Sequence, residues 1–246
     1  MTTLTIATYN IHKGFSHFNR RMVLHELRER LRELNADIVF LQEVQGENIG
    51  DAQRHENYPV SPQHEFLAEK IWPHHAYGKN AVYDEGHHGN AILSRYPIVR
   101  WGNQDVSAHR FESRGILHCE IGLPDISQPF HCICVHFGLF KRGRGQQFNA
   151  LAERIKRMVP ADAPLVIAGD FNDWNNHASQ FLAQELQVHE VFDSNHGKLA
   201  RSYPAGLPLL RMDRIYVRGL VVSQSDVYAW RKISDHAALS ATLVLA

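Results

Sequence analysis

The stretch LVIAGDFNDW, residues 165–174, poses the problem that organises the rest of the chain. Its apolar start, Leu165-Val166-Ile167-Ala168, predicts a buried strand. The run breaks at Gly169, and a carboxylate and an amide follow two residues apart, at Asp170 and Asn172. Polar groups at the mouth of a core need partners there: turn backbone, water or a ligand.

The same pattern recurs along the chain. Asn10 ends an alternating run over residues 3–10, and Glu43 closes the buried run DIVFLQE. His136 follows Ile133-Cys134-Val135, Asp213 lies in RMDRIYVRG, and Asp235 and His236 immediately precede the last strand-like segment. Each has a plain reading alone: a turn or helix cap, a solvated acid, a satisfied core histidine. Together, four carboxylates at the ends of buried segments repel one another unless positive charge sits among them. A hard divalent cation with oxygen ligands resolves this, and Mg²⁺ suits the donor set best. Zinc-type spacing is absent, since His87 and His88 are adjacent rather than a helical turn apart and no Cys-x-x-Cys occurs. A cation with nearby imidazole and carboxylate suits phosphoester hydrolysis. A carboxylate at Asp213 beside His236 would fix the tautomer and raise the imidazole pKa.

The 246 residues, 44% hydrophobic and 21% charged, predict one domain over 1–246 with a core that needs no staples. No apolar run is long enough to span a bilayer, and MTTLTIATYN lacks a signal-peptide pattern, so a cytoplasmic location is expected. The three cysteines read as core residues, Cys132 and Cys134 sharing one strand face. Twenty-six basic residues balance 26 acidic ones, which removes the simplest argument for a protein that grips long nucleic acid by its phosphates. Helices are expected over residues 20–35, 65–72, 142–159 and 177–187, and a hairpin over 114–123 and 129–139. Polar loops are expected over 46–64 and from 187 to about 208. Strands and helices mix without strict alternation, which predicts an α+β sandwich with helices on sheet faces. Trp101, Phe111 and Trp174 read as ordinary packing residues, with the floor of a substrate groove as the alternative, and KRGRG, 141–145, as a solvated helix start, with contact to an anionic substrate as the alternative.

Seven motifs in order, TYNIHKG, ADIVFLQEV, GNAILSRYPI, VHFGL, GDFND, RMDRIYV and SDHAALSA, resemble the endonuclease/exonuclease/phosphatase superfamily over residues 5–244. That superfamily includes pancreatic-type deoxyribonuclease, AP endonucleases, neutral sphingomyelinases and inositol polyphosphate 5-phosphatases. The start of the chain looks most like a group of uncharacterised bacterial members. The resemblance implies a DNase I-like, four-layer α/β/β/α sandwich of two mixed sheets packed face to face, with the site at one edge. It implies Glu43 as principal metal ligand with Asn10 beside it and Asp235 near the metal. It implies Asp170, helped by Asn172, as the group that activates water. His236, oriented by Asp213, and His136 would contact the phosphate. Histidine at 136 resembles the deoxyribonuclease and sphingomyelinase branches, whereas AP endonucleases carry tyrosine there. Asn90 and Arg114 align with positions near the substrate. The expected activity is a Mg²⁺-dependent phosphodiesterase, with Mn²⁺ able to substitute, acting on a small molecule or a phospholipid headgroup. DNA cleavage is the alternative, and a non-catalytic interaction module the minor one. No protein partner is implied.

Overall fold

The computed structural model describes residues 2–109, 111–124 and 126–245. Strands β1 (Thr3–Asn10), β2 (Ile38–Asn48), β3 (His74–Tyr83) and β4 (Gly86–Ser94) build most of a first sheet. Strands β5 (Ile98–Asp105), β6 (Gly115–Ile121), β7 (Phe130–His136), β8 (Leu165–Asp170), β9 (His189–Glu190) and β10 (Asp213–Arg218) build a second. The chain then returns to the first sheet through β11 (Leu220–Tyr228) and β12 (Ala238–Leu245). The strand orders are β11-β12-β1-β2-β4-β3 and β5-β6-β7-β8-β10-β9. Only β1/β2 and β7/β8 are parallel, so both sheets are mixed. A parallel pair needs a crossover, and helices α1 (Leu24–Glu33) and α4 (Lys141–Met158) supply the two. In chain order between and after them come α2 (Ile49–Arg54), α3 (Gln63–Ala68), α5 (His177–Leu186) and α6 (Val191–His196).

Three apolar clusters define four layers. The central one joins the facing sides of both sheets, with Leu4, Ile6, Phe40 and Ile92 against Leu117, Cys132, Val166 and Ile215. A second packs α1 and α3 on the first sheet through Leu24, Leu27, Leu31 and Leu67. A third packs α4 and α5 on the second through Phe148, Leu151, Ile155 and Leu182. The result is the α/β/β/α sandwich that the motifs implied. Truncating a central residue such as Ile6, which is fully buried, would cost about 2–5 kcal/mol. All three cysteines are free and buried in the central layer, as their spacing predicts.

The structure departs from the sequence-based expectation in the polar stretches. Residues 46–64 are not one loop, because β2 runs on to Asn48 and α2 and the start of α3 follow. Glu43 therefore does not end its strand. It sits in a β-bulge where pairing with β4 shifts register between Leu41 and Val44, and it adopts φ +56°. A bulge re-aims a side chain without ending the strand. The expected helix over 20–35 begins only at Leu24, and α6 occupies part of the expected loop before residue 208.

Candidate active site

Strand periodicity answers the question raised by Asp170. In β8, Val166 and Ala168 face the central layer, and the next residue on that face is Asp170. In β7 the series is Cys132, Cys134, His136, and in β10 it runs back from Val217 through Ile215 to Asp213. In β1 it is Leu4, Ile6, Thr8, Asn10. Register then aligns the ends: His136 pairs with Asp170, and Asp170 with Asp213. Each strand thus gives apolar groups to the core and one polar group to its rim. Gly169 makes the close approach of β8 to β7 feasible. It adopts φ +146°, and a Cβ there would lie 2.0 Å from the Val135 carbonyl oxygen. Just below the rim, Gln42 donates to Thr8 Oγ1 at 3.2 Å and to Cys134 Sγ at 3.2 Å, joining the two sheets.

At the rim, His236 Nδ1 lies 2.8 Å from Asp213 Oδ2. Its Nε2 lies 3.8 Å from Asp170 Oδ2, and His136 Nε2 lies 3.6 Å from the same oxygen. Asn10 Nδ2 donates to Asp170 Oδ2 at 3.1 Å and to Glu43 Oε1 at 3.4 Å, clipping the two sheets' acids together. The Asn10 side-chain oxygen accepts from the His12 backbone N–H, which leaves it one further lone pair. Asn172, at φ +49°, donates its backbone N–H to Asp170 Oδ1 and its side-chain amide to the Phe137 carbonyl. It therefore holds Asp170 and the turn after β7. Ser234 donates to the Asn10 carbonyl at 2.8 Å and accepts from the His236 N–H, so β1 and the segment before β12 are tied directly.

Burial pushes the Asp170 carboxyl up to about 7, against the lowering influence of His236. Burial would lower His236, but the carboxylates of Asp213 and Asp170 outweigh it and raise the imidazolium to about 10. His136 moves the other way, well below its ordinary value, through burial and the facing Arg114. The two imidazoles thus differ in charge: His236 is held protonated and His136 neutral.

The donor set fits a hard cation. Asp170, Asp213 and Asp235 have only histidines as ion-pair partners among the described residues, and Glu43 has none. Asp213 Oδ1 is buried with no hydrogen-bond partner. Among the described residues Asp170 and Asp213 share a single cation, the imidazolium of His236. Acids this concentrated, with an orphaned oxygen among them, call for added positive charge.

Sequence reasoning missed several neighbours. His12 Nδ1 lies 3.4 Å from Asp235 Oδ1, and His17 Nδ1 lies 3.9 Å from Oδ2. Both stand in the NIHKGFSH run that follows Asn10, and their proximity to a quoted motif was the available signal. His88, on β4, has a buried Nδ1 without a partner. Its pKa is pushed down to about 4 by burial and by Lys13. Arg114 also acts on His88 and His136, so Lys13 and Arg114 converge on this side of the rim. Arg114 makes no ion pair among the described residues and leaves its Nε buried and unpartnered. Asn90 lies deeper, donating to the Gly115 and Cys134 carbonyls, with its Oδ1 unpartnered. Trp101, Phe111 and Trp174 are all exposed, contrary to the expectation of ordinary packing.

The model of the endonuclease/exonuclease/phosphatase family matches residues 7–236, a span that contains every residue just described. The chain belongs to the endonuclease/exonuclease/phosphatase family. It is 46% identical over 243 residues to the uncharacterized protein YbhP of Escherichia coli, covering 98% of this chain and 96% of that one. Its fold superposes on an endonuclease/exonuclease/phosphatase from Beutenbergia cavernae with a TM-score of 0.79 at 18% identity, over 99% of this chain and 72% of the other. A mannosyl-6-phosphatase from Bacteroides thetaiotaomicron gives a TM-score of 0.75 at 17% identity, over 98% and 100%. Membership of the family makes the chain a phosphoester hydrolase in general terms. No helix among the described residues is long and apolar enough to cross a membrane.

Proposed function

We propose that this chain is a Mg²⁺-dependent phosphodiesterase, with Mn²⁺ able to substitute, that acts on a small or lipid-derived phosphodiester as a single domain. The observation that carries this reading is the row Asp213–His236–Asp170, with His136 closing on the same Asp170 oxygen. Two imidazole nitrogens and a carboxylate oxygen of opposite chemical character then face one small space.

Glu43, Asp235 and the free lone pair of Asn10 would hold the cation. When bound, it would neutralise charge on a phosphoryl oxygen. The remaining chemistry belongs to the chain. Asp170, whose pKa lies near neutrality, accepts a proton from the attacking water, and the Asn172 backbone N–H holds its second oxygen in place. His236, kept protonated by Asp213, donates a hydrogen bond from Nε2 to the phosphate, stabilises the charge that develops there and gives its proton to the departing oxygen as the P–O bond breaks, to be restored by the proton on Asp170 3.8 Å away. His136 offers a second, neutral contact, and Arg114 with its unpartnered Nε faces the anionic substrate from β6's approach. The buried Asn90 braces that side by tying β4 to the β6 and β7 backbones.

Hydrolysis of bis-(p-nitrophenyl) phosphate with Mg²⁺ or Mn²⁺, abolished by EDTA, is the first test. Sphingomyelin, glycerophospholipids, inositol phosphates and supercoiled plasmid run in parallel resolve the substrate class. Folded protein that hydrolyses none of them with metal would end the reading. Plasmid cleavage in preference to every other substrate, falling steeply with salt, would replace it with a nuclease.

A further inference from the structure

The loops at the site edge differ from those at the opposite edge in a way catalysis does not require. Large apolar side chains stand exposed on four separate loops that leave or enter strands at the site: Phe18 (71% exposed) after β1, Leu139 and Phe140 (69%) after β7, Trp174 after β8, and Leu207 and Leu209 before β10. At the other edge, the connections 95–97, 122–129 and 159–164 carry no exposed large apolar side chain among the described residues. Exposure of several large apolar side chains along one edge is what an interaction surface requires.

These side chains are physically tied to the catalytic rim. His17, which faces Asp235, stacks its ring against Phe18 with centroids 3.9 Å apart. Arg144 lies over the Trp174 ring at 5.0 Å and donates to the Leu139 carbonyl at 2.6 Å. Tyr203 packs its ring 5.0 Å from that of His236 and accepts the Leu209 N–H at 2.9 Å. Leu139 and Phe140 also form one wall of a hollow of about 320 Å³ whose other wall includes His88 and Arg114. An apolar wall thus faces one that carries the Arg114 guanidinium, and the Glu112 carboxylate lines the same hollow.

Charge is one-sided in these four segments, although the β3–β4 turn brings Asp84 and Glu85 and the β5–β6 connection Glu112 to the same edge. The chain is neutral overall, yet residues 17–22, 137–152, 174–180 and 199–211 contain no Asp or Glu. They contribute Arg20, Lys141, Arg142, Arg144, Arg201 and Arg211, besides Arg21, whose guanidinium pairs with Glu26. Lys141 and Arg142 are exposed and have no acidic partner among the described residues. Phosphate backbones alone would reward such cations but offer nothing to exposed leucines. An anionic bilayer rewards both: Lys and Arg meet the headgroup charge while Phe, Trp and Leu enter the acyl boundary.

We propose that this edge is an interfacial docking surface that seats the protein on an anionic phospholipid bilayer and brings headgroup phosphodiesters to the rim. The proposal rests on the phosphodiesterase reading above and gives its substrate class as bilayer-resident phospholipid. The test is co-sedimentation of the full chain, in EDTA, with vesicles of phosphatidylcholine alone or mixed with phosphatidylglycerol. Hydrolysis of soluble bis-(p-nitrophenyl) phosphate with Mg²⁺ is measured separately. The protein pellets with the anionic vesicles and much less with the neutral ones. Lys141→Glu/Arg142→Glu and Leu207→Ser/Leu209→Ser each lower vesicle partitioning by about tenfold. Both leave turnover of the soluble diester and thermal melting unchanged. Wild-type protein that stays in the supernatant, or double variants that bind as well as wild type, would overturn the docking surface. So would a short DNA duplex that binds more tightly than vesicles through the same residues. Diester hydrolysis without vesicle binding defeats the surface alone, whereas vesicle binding without hydrolysis supports the surface and defeats the phosphodiesterase reading.

Discussion

Strands β6, β7, β8 and β10, with the segment before β12, hold two clusters of buried histidine and carboxylate, at opposite ends and on opposite faces of the second sheet. At the rim stand His136, Asp170, Asp213 and His236. At the far end stand His118, Glu120 and His131, with His118 Nε2 2.9 Å from His131 Nδ1. One ligand atom from each of the three far-end residues lies within 4.8 Å of the others, as it does for Asp170, Asp213 and His236. Their electrostatics diverge. Glu120 is neutralised by the Arg100 guanidinium, with Nε 2.9 Å away. Burial, aided by His131 and Arg154, then pushes His118 down to about 3. At the rim no Arg or Lys pairs with the acids among the described residues, and His236 is pushed up to about 10. The lesson is that buried imidazoles acquire chemistry from uncompensated acid nearby, and that a compensated acid leaves them structural.

Four perturbations sharpen that contrast, in descending order of effect. Asp170→Asn or Glu43→Ala should lower turnover of bis-(p-nitrophenyl) phosphate by roughly 10³-fold or more, with far-UV circular dichroism unchanged. Asp213→Asn leaves His236 without the carboxylate that holds it protonated, and should cost roughly 10²–10³-fold. Equal turnover in that variant would remove His236 from the proposed chemistry. At the other end, His118→Gln should change turnover by less than about twofold while costing about 1–3 kcal/mol of stability in urea unfolding.

The far pair also sets a pH dependence. His118 is depressed when folded, so the unfolded chain binds its proton first. Its contribution is present above 6.5 and declines as pH falls toward 3. Glu190 gives the opposite slope and a smaller effect. Its carboxyl is raised by burial from 4.5 to about 7, so the folded state holds its proton more tightly. Stability therefore falls as pH rises through that window. Glu190→Gln should flatten the slope and raise stability at pH 8 by about 1–2 kcal/mol, as read by thermal melts across pH.

The rim was legible because its residues terminate apolar runs. Asn10, His136 and Asp170 are each the last residue of a strand, and Asp213 is the first of one. The far pair was not legible, because His118 and His131 meet only through the pairing of β6 with β7 and no local motif marks them. The β6–β7 hairpin, α4 and α5 followed from periodicity, since each buries one clear face. Edge strands β3 and β11 did not. In β11 only Leu220 and Ser225 are buried, so alternation carries little signal. The bulge at Glu43 depends on pairing with β4, a partner that residues 38–48 do not encode locally. The exposed apolar collar was invisible for a related reason: sequence alone reads Phe and Leu as core.

Ser234 and Asn10 touch although 224 positions separate them along the chain. Contacts of such long range carry a large loop-closure cost and tend to form late. A nascent polypeptide from which residues 235 and 236 have not yet emerged lacks two side chains that the proposed chemistry needs, however well its earlier strands have paired. On the mechanism proposed above, hydrolysis would therefore begin only once the final strand docks beside the first.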